Sequence, residues 1–157
     1  MTRVIFTVNK ANVYTEVAKT SSYSGAKMDD AAAYDRIFTT DEDRQMLERF
    51  WNEASNAVTE LFKPFLVSVT ESPESHGIEL ARNYEATLDL SASYDTVLNK
   101  SIESSLFSFF VDFIVSRWFK FTNKTETESY GNEAATMLDD VKAKIYYKKK
   151  PTRVAPQ

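Results

Sequence analysis

The sequence predicts an α+β fold that is mainly α, a three-helix bundle with a β-hairpin and an N-terminal extended segment. Three observations support this prediction. Apolar residues recur at helical spacing in three long stretches, they alternate with polar residues between the first two helices, and β-branched and aromatic residues dominate the start of the chain. A chain of 157 residues can form a single domain over 1–148 with its own core.

The N-terminal extended segment covers residues 1–38. In RVIFTV and NVYTEVAKT, Val13, Thr15 and Val17 alternate with their neighbours as on a half-buried strand. The following SSYSGAKMDD has the composition of a loop, and a short helical turn is predicted to begin near Asp29 or Asp30. We therefore expect strands and a loop before the first long helix.

The first long helix is predicted at 39–63. Thr39 and Glu42 have the spacing of a capping box, the acidic residues that follow suit the positive end of the helix dipole, and Pro64 ends the helix. Its apolar stripe consists of Met46, Leu47, Phe50, Trp51, Ala54, Val58, Leu61 and Phe62.

A β-hairpin is predicted at 65–91. GIELARNYEATLDLS alternates apolar and polar residues, FLVSVTES is its natural antiparallel partner, and SPESHG forms the loop between them. A pair of strands needs further cover on its apolar face, and an N-terminal strand could supply it. Because the loop is polar, we expect the hairpin to project and reach a neighbouring chain.

The central helix, predicted at 95–121, is apolar around most of its circumference. Asp112 interrupts an apolar run that is too short for a membrane span, so no membrane partner is expected. The helix is either central in the bundle or faces another subunit, and Phe109, Phe113 and Trp118 are the candidate contact residues. A polar stripe recurs every four residues and consists of Ser104, Ser108, Asp112, Ser116 and Lys120. For Asp112 we favour solvent exposure over burial at a subunit contact.

The last helix is predicted at 126–148, after a second capping-box spacing between Thr125 and Glu128. A flexible basic tail, 149–157, is expected to follow it. The chain has 19 basic and 23 acidic residues, and six of the basic but none of the acidic ones lie from Lys142 onward. The first 141 residues therefore carry a formal charge of −10 and the remainder +6.

The basic C-terminal residues have three interpretations. With Tyr146 and Tyr147 they could contact nucleic-acid phosphates and bases, they could merely keep a helix end soluble, or they could dock on an acidic neighbour such as an identical subunit. We expect the docking function rather than nucleic-acid recognition. The candidate residues are Lys148, Lys149, Lys150 and Arg153.

The sequence has few of the residues that catalysis and metal binding require. It has no Cys, one His (His76, in the predicted hairpin loop) and three unclustered Gly, which argues against cysteine nucleophiles, zinc sites and phosphate-binding loops. Asp41, Glu42 and Asp43 are typical of a solvated helix N-terminus. We expect a protein that is not an enzyme and has no metal or cofactor.

Residues 95–148 resemble the small helical adaptor proteins of tailed-bacteriophage necks. The similarity lies in an apolar helix ending in VDFIVSRWF, a short polar loop, and a helix with the pattern Y…A…ML…V. The resemblance implies a head–tail connector or adaptor that forms a homo-oligomeric ring between portal and tail proteins, in a virion assembled in the host cytoplasm. From the residues alone, the alternative is a small nucleic-acid-binding regulatory protein that uses its basic tail.

Overall fold

The computed structural model describes residues 1–27, 41–70, 83–122 and 124–151. Within these ranges a three-stranded antiparallel sheet, ordered β1-β3-β2, packs with four α-helices. The predicted α+β fold, mainly α, is confirmed. The elements in chain order are β1 (Thr2–Val8), α1 (Lys10–Lys27), α2 (Asp41–Phe62), β2 (Leu66–Val69), β3 (Tyr84–Leu90), α3 (Asn99–Thr122) and α4 (Thr127–Tyr146).

The N-terminal segment is a strand followed by a helix. β1 pairs with β3 and supplies the third strand of the sheet, as predicted. The second predicted strand is wrong, because those residues belong to α1, which also includes the first part of the predicted loop. Asn9 is the N-cap of this helix, because its side-chain oxygen accepts a hydrogen bond from the Asn12 N–H at 2.9 Å. The helical turn predicted near Asp29 or Asp30, and the Thr39 cap, lie outside the described residues.

The sheet has one face buried against the helices. Alternate residues of β3 are buried, which confirms the predicted alternation over this strand; they are Tyr84, Ala86, Leu88 and Leu90. β3 is the middle strand, with β2 on one side and β1 on the other. β1 and β3 are therefore part of the core, and β2 packs against it through the partly buried Leu66 and Val69. The loop that was expected to reach a neighbour lies outside the described residues.

Helix α3 is the centre of the bundle. The Phe110 ring lies 4.6 Å from the Trp51 ring of α2 and 5.6 Å from the Tyr84 ring of β3, measured between ring centroids. Its apolar circumference is wide because the sheet and the other helices cover it on several sides. Across the part of the chain that the structure describes, no helix is both long and apolar enough to cross a membrane.

A buried lysine joins the first two helices. Lys10 Nζ lies 2.6 Å from Glu48 Oε2, and the Tyr14 hydroxyl donates to Glu48 Oε1 at 3.0 Å. Burial, and then the Glu48 charge, raise the pKa of Tyr14 above its ordinary value. These groups satisfy one another, which is what a buried cation requires in order to remain in the core.

Candidate functional site

The three aromatic candidates on α3 do not form an open surface. Phe109 and Trp118 are only 3% and 6% exposed, and both lie in the core. Phe113 is half-buried, with the Arg117 guanidinium 4.9 Å from its ring centroid. Burial therefore argues against Phe109 and Trp118 as contacts to another subunit, whereas Phe113 keeps part of its side chain exposed. An aromatic residue that the sequence analysis missed, Phe121, is 68% exposed at the end of the same helix.

The polar residues of α3 face α4 at two hydrogen-bonded contacts. At one, Ser105 Oγ donates to Asp140 Oδ2 at 2.7 Å, and Lys144 pairs with the same carboxylate. The hydrogen bonds from Lys144 and Ser105 hold the pKa of Asp140 below its ordinary value. At the other, Ser116 Oγ donates to the Thr127 carbonyl at 3.0 Å and Thr127 Oγ1 donates to the Ser116 carbonyl at 2.6 Å.

The N-terminal end of α4 differs from the sequence prediction. Its N-cap is Glu126, which makes no side-chain capping hydrogen bond, so the predicted Thr125–Glu128 capping box is wrong. Instead, the two hydrogen bonds between Thr127 and Ser116 fix the N-terminal end of α4 on α3. Nearby, a Cβ added at Gly131 would lie 3.1 Å from Ser116 Oγ. A glycine here allows the two helices to approach closely.

Asp112 lies between these two contacts and is buried, contrary to the expected solvent exposure. It is 8% exposed, and its Oδ2 atom has no hydrogen-bond partner. Burial, and then the charge of Glu133 on α4, raise its pKa to about 7. We call Asp112 and Glu133 the acidic pair. Two carboxylates without a cation at a helix contact destabilise each other when both are ionised.

The acidic pair is one candidate site. The other is a cluster of aromatic and cationic residues, 146–150, which we call the basic end. Helix α4 ends at Tyr146, two residues before the predicted position. Lys148 then forms an antiparallel bridge with Tyr94, and the Lys149 N–H donates to the Ser93 carbonyl at 2.7 Å. The tail predicted to be flexible is thus fixed at its first residue, whereas Arg153 lies outside the described residues.

The basic end presents rings and charges together. Tyr146 and Tyr147 are each 51% exposed, and the Tyr146 ring is supported from behind by Phe65 at 5.4 Å between ring centroids. The three lysines that follow are exposed, and no ion pair joins them to another residue that the structure describes. This combination suits a polyanion or an acidic protein surface.

Comparisons with known proteins found no matching family model, curated protein or solved structure. Among the side chains described here, no group of three or more His, Cys, Asp or Glu residues could hold a metal ion. The acidic pair and the basic end are the features of this molecule from which a function can be inferred.

Proposed function

We propose that this chain is a non-enzymatic structural subunit of a tailed-bacteriophage virion, a ring-forming head–tail connector or adaptor that joins the portal to the tail. One observation carries the proposal: the basic end is fixed on a body of opposite charge. The first 141 residues carry −10 and the rest +6. Opposite charges at separate surfaces favour head-to-tail contacts between identical chains, and such contacts form rings when the rotation closes.

Two further features support a structural subunit. The resemblance to neck adaptor proteins covers 95–148, which spans the helix pair α3–α4 and the first residues after it. The buried Lys10 of α1 serves to join two helices, because it pairs with Glu48 of α2. Both features fit a rigid building block whose function lies in contacts with portal and tail proteins in the virion.

Ring formation is the first prediction of this proposal. We expect the purified chain to form one dominant closed oligomer as its concentration rises, since each heterologous contact creates a site for the next chain. Mass photometry and negative-stain electron microscopy measure the oligomer, and a reconstruction of purified particles should place the chain in a ring at the neck. A strict monomer in solution together with its absence from particles would contradict the proposal.

A nucleic-acid-binding regulator is the second candidate, and the exposed Tyr146 and Tyr147 beside three lysines favour it. Exposed rings stack on bases while lysines contact phosphates. The net negative charge of the body opposes the approach of DNA, most strongly at low salt, where screening is weakest. We therefore rank it below the structural function.

Truncation after Tyr147 separates these two functions. We expect the truncated chain to lose assembly, because it lacks the docking lysines, while the full chain shows little salt-dependent affinity for duplex or single-stranded DNA. A full-length variant with Lys148, Lys149 and Lys150 changed to Gln is the matched control, because it keeps the backbone bonds to Ser93 and Tyr94. Normal assembly of both variants, with loss of a salt-dependent DNA affinity, would reverse the ranking.

A further inference from the structure

The acidic pair occupies a defined position in the contact between α3 and α4. α3 and α4 are antiparallel, because Ser105 contacts Asp140 whereas the later Ser116 contacts the earlier Thr127. Seven residues after Ser105 on α3 therefore correspond to seven residues before Asp140 on α4. These steps lead to Asp112 and to Glu133, which places the two carboxylates opposite each other. The contacts on either side are completed by hydrogen bonds. The acidic pair is the contact between them that has no donor or cation from the described chain.

Among the residues that the structure describes, no cation neutralises the acidic pair. Arg117, one turn along α3, pairs with Glu53 of α2 and packs on the Phe113 ring. On α4, Lys144 lies 11 residues beyond Glu133 and is engaged by Asp140 and Ser105. No ion pair links either member of the acidic pair to a cation in the described ranges. The Asp112 carboxylate is nine-tenths buried and its Oδ2 atom has no hydrogen-bond partner. Such a group destabilises the folded chain unless a hydrogen-bond donor or a cation approaches it.

The basic end supplies suitable cations, but the acidic pair of the same chain is out of reach. Lys148 follows the end of α4 at Tyr146, which lies 13 residues beyond Glu133. Because the helix rises about 1.5 Å per residue, roughly 20 Å or more separates Lys148 from Glu133. That distance exceeds the length of a lysine side chain. The backbone bonds to Ser93 and Tyr94 also hold these lysines at their own end of the molecule. The two complementary surfaces can meet only between two chains.

We propose that the basic end of one chain docks on the acidic pair of a neighbouring identical chain, where a lysine among 148–150 binds the exposed Glu133 carboxylate beside Asp112. This inference rests on the proposed function, since it identifies the contact that builds the ring. A second copy is the favoured occupant because Lys148, Lys149 and Lys150 are exposed and make no ion pair with a described residue, and because backbone contacts to Ser93 and Tyr94 hold this segment in place.

Docking would change both chains in a defined way. The ammonium group would offset the repulsion between the two carboxylates, so that Asp112 could ionise without the full cost of an unpaired charge. Since the two surfaces differ, the contact is heterologous, and each added chain offers a new basic end and a new acidic pair. The exposed Tyr146 and Tyr147 of the docking chain would lie at the edge of the interface, where tyrosines are common.

A labelled peptide of residues 145–157, IYYKKKPTRVAPQ, serves as the probe for binding to the full-length chain by fluorescence anisotropy at low salt. We expect Glu133→Gln to weaken binding by about tenfold or more, as is typical for loss of one member of a close charge pair. Glu128→Gln is the matched control, because it removes the same charge from an exposed position on α4 away from the acidic pair. Equal affinities in the two variants, or no binding of the peptide to the wild-type chain, would overturn the inference.

Charge reversal tests the same contact within the assembled protein. Neither Glu133→Lys nor a chain with Lys148, Lys149 and Lys150 changed to Glu should assemble alone, whereas an equimolar mixture should assemble because each chain then complements the other. If the peptide binds but the full chain forms no rings, the proposed function is contradicted while the contact between the basic end and the acidic pair is supported. Rings that form unchanged with Glu133→Lys would overturn this contact and leave the proposed function in place. Binding of Ca²⁺ that depends on Glu133, with no binding of the peptide, would assign the pair to a metal cation instead.

Discussion

Asp112→Asn is expected to stabilise the monomeric protein at pH 8 by about 2–4 kcal/mol and to change its stability little at pH 4, since each unit of pKa shift is worth about 1.4 kcal/mol. The pKa of Asp112 rises from an ordinary value of 3.8 to about 7 in the folded chain. Well below pH 3.8 the carboxyl is protonated in both the folded and the unfolded chain, so its titration does not lower the free energy of unfolding. As the pH rises from there toward 7, the unfolded chain releases the proton first, and the free energy of unfolding falls.

Urea denaturation of both chains between pH 4 and pH 8, at protein concentrations that keep them monomeric, measures this effect. The difference between the two curves isolates Asp112, because the remaining titrating groups are common to both chains. Asp139→Asn is the control, since it removes a carboxylate that is exposed on α4. A constant difference across the pH range would contradict the prediction, because it would show that the pKa of Asp112 is the same in the folded and the unfolded chain.

The stability lost at Asp112 is consistent with an assembly contact. A buried carboxylate opposite a second carboxylate weakens the free subunit, and replacement by Asn would remove that cost. In the proposed contact, a lysine from a neighbouring chain would offset part of this destabilisation on docking. We therefore expect one substitution, Asp112→Asn, to stabilise the monomer and to weaken the interaction between subunits.

The error in the N-terminal segment has a clear physical cause. Val13, Thr15 and Val17 alternate along the sequence, but Val13 and Val17 are also four residues apart, which is one turn of a helix. The β-branched composition favoured a strand, whereas burial of both valines in the core outweighs the small helix-propensity penalty of such residues. Asn9 as an N-cap was the indication in the sequence that could have corrected the prediction.

For α3 the sequence leaves two alternatives open, the centre of the bundle or a contact with another subunit, and the structure places the helix at the centre. Its apolar positions were predicted correctly, but the sequence does not specify which neighbours cover them. The polar stripe favours solvent exposure of Asp112, although serines and a facing glycine also allow a second helix to approach closely, as Ser116 and Gly131 do. Burial of Asp112 follows from that packing. The basic end was predicted from charge alone, because exposed lysines need no tertiary contact to be recognised.

Phe109→Ala and Phe121→Ala form a matched pair on α3 that tests which aromatic residues belong to the core. Phe109 is 3% exposed and its ring lies 6.0 Å from that of Phe110 and 5.6 Å from that of Phe113, measured between centroids. Truncation there should leave a cavity and lower the free energy of unfolding by about 3–4 kcal/mol.

Phe121 is 68% exposed, so its truncation should change stability by less than about 0.5 kcal/mol. Both chains are measured by thermal and urea unfolding, with near-ultraviolet circular dichroism to report the aromatic packing. If Phe109 were instead a contact residue for another subunit, its alanine variant would unfold like the wild-type monomer and fail only in assembly. A loss of stability at Phe109 but not at Phe121 would establish that the apolar circumference of α3 is used within the chain at Phe109.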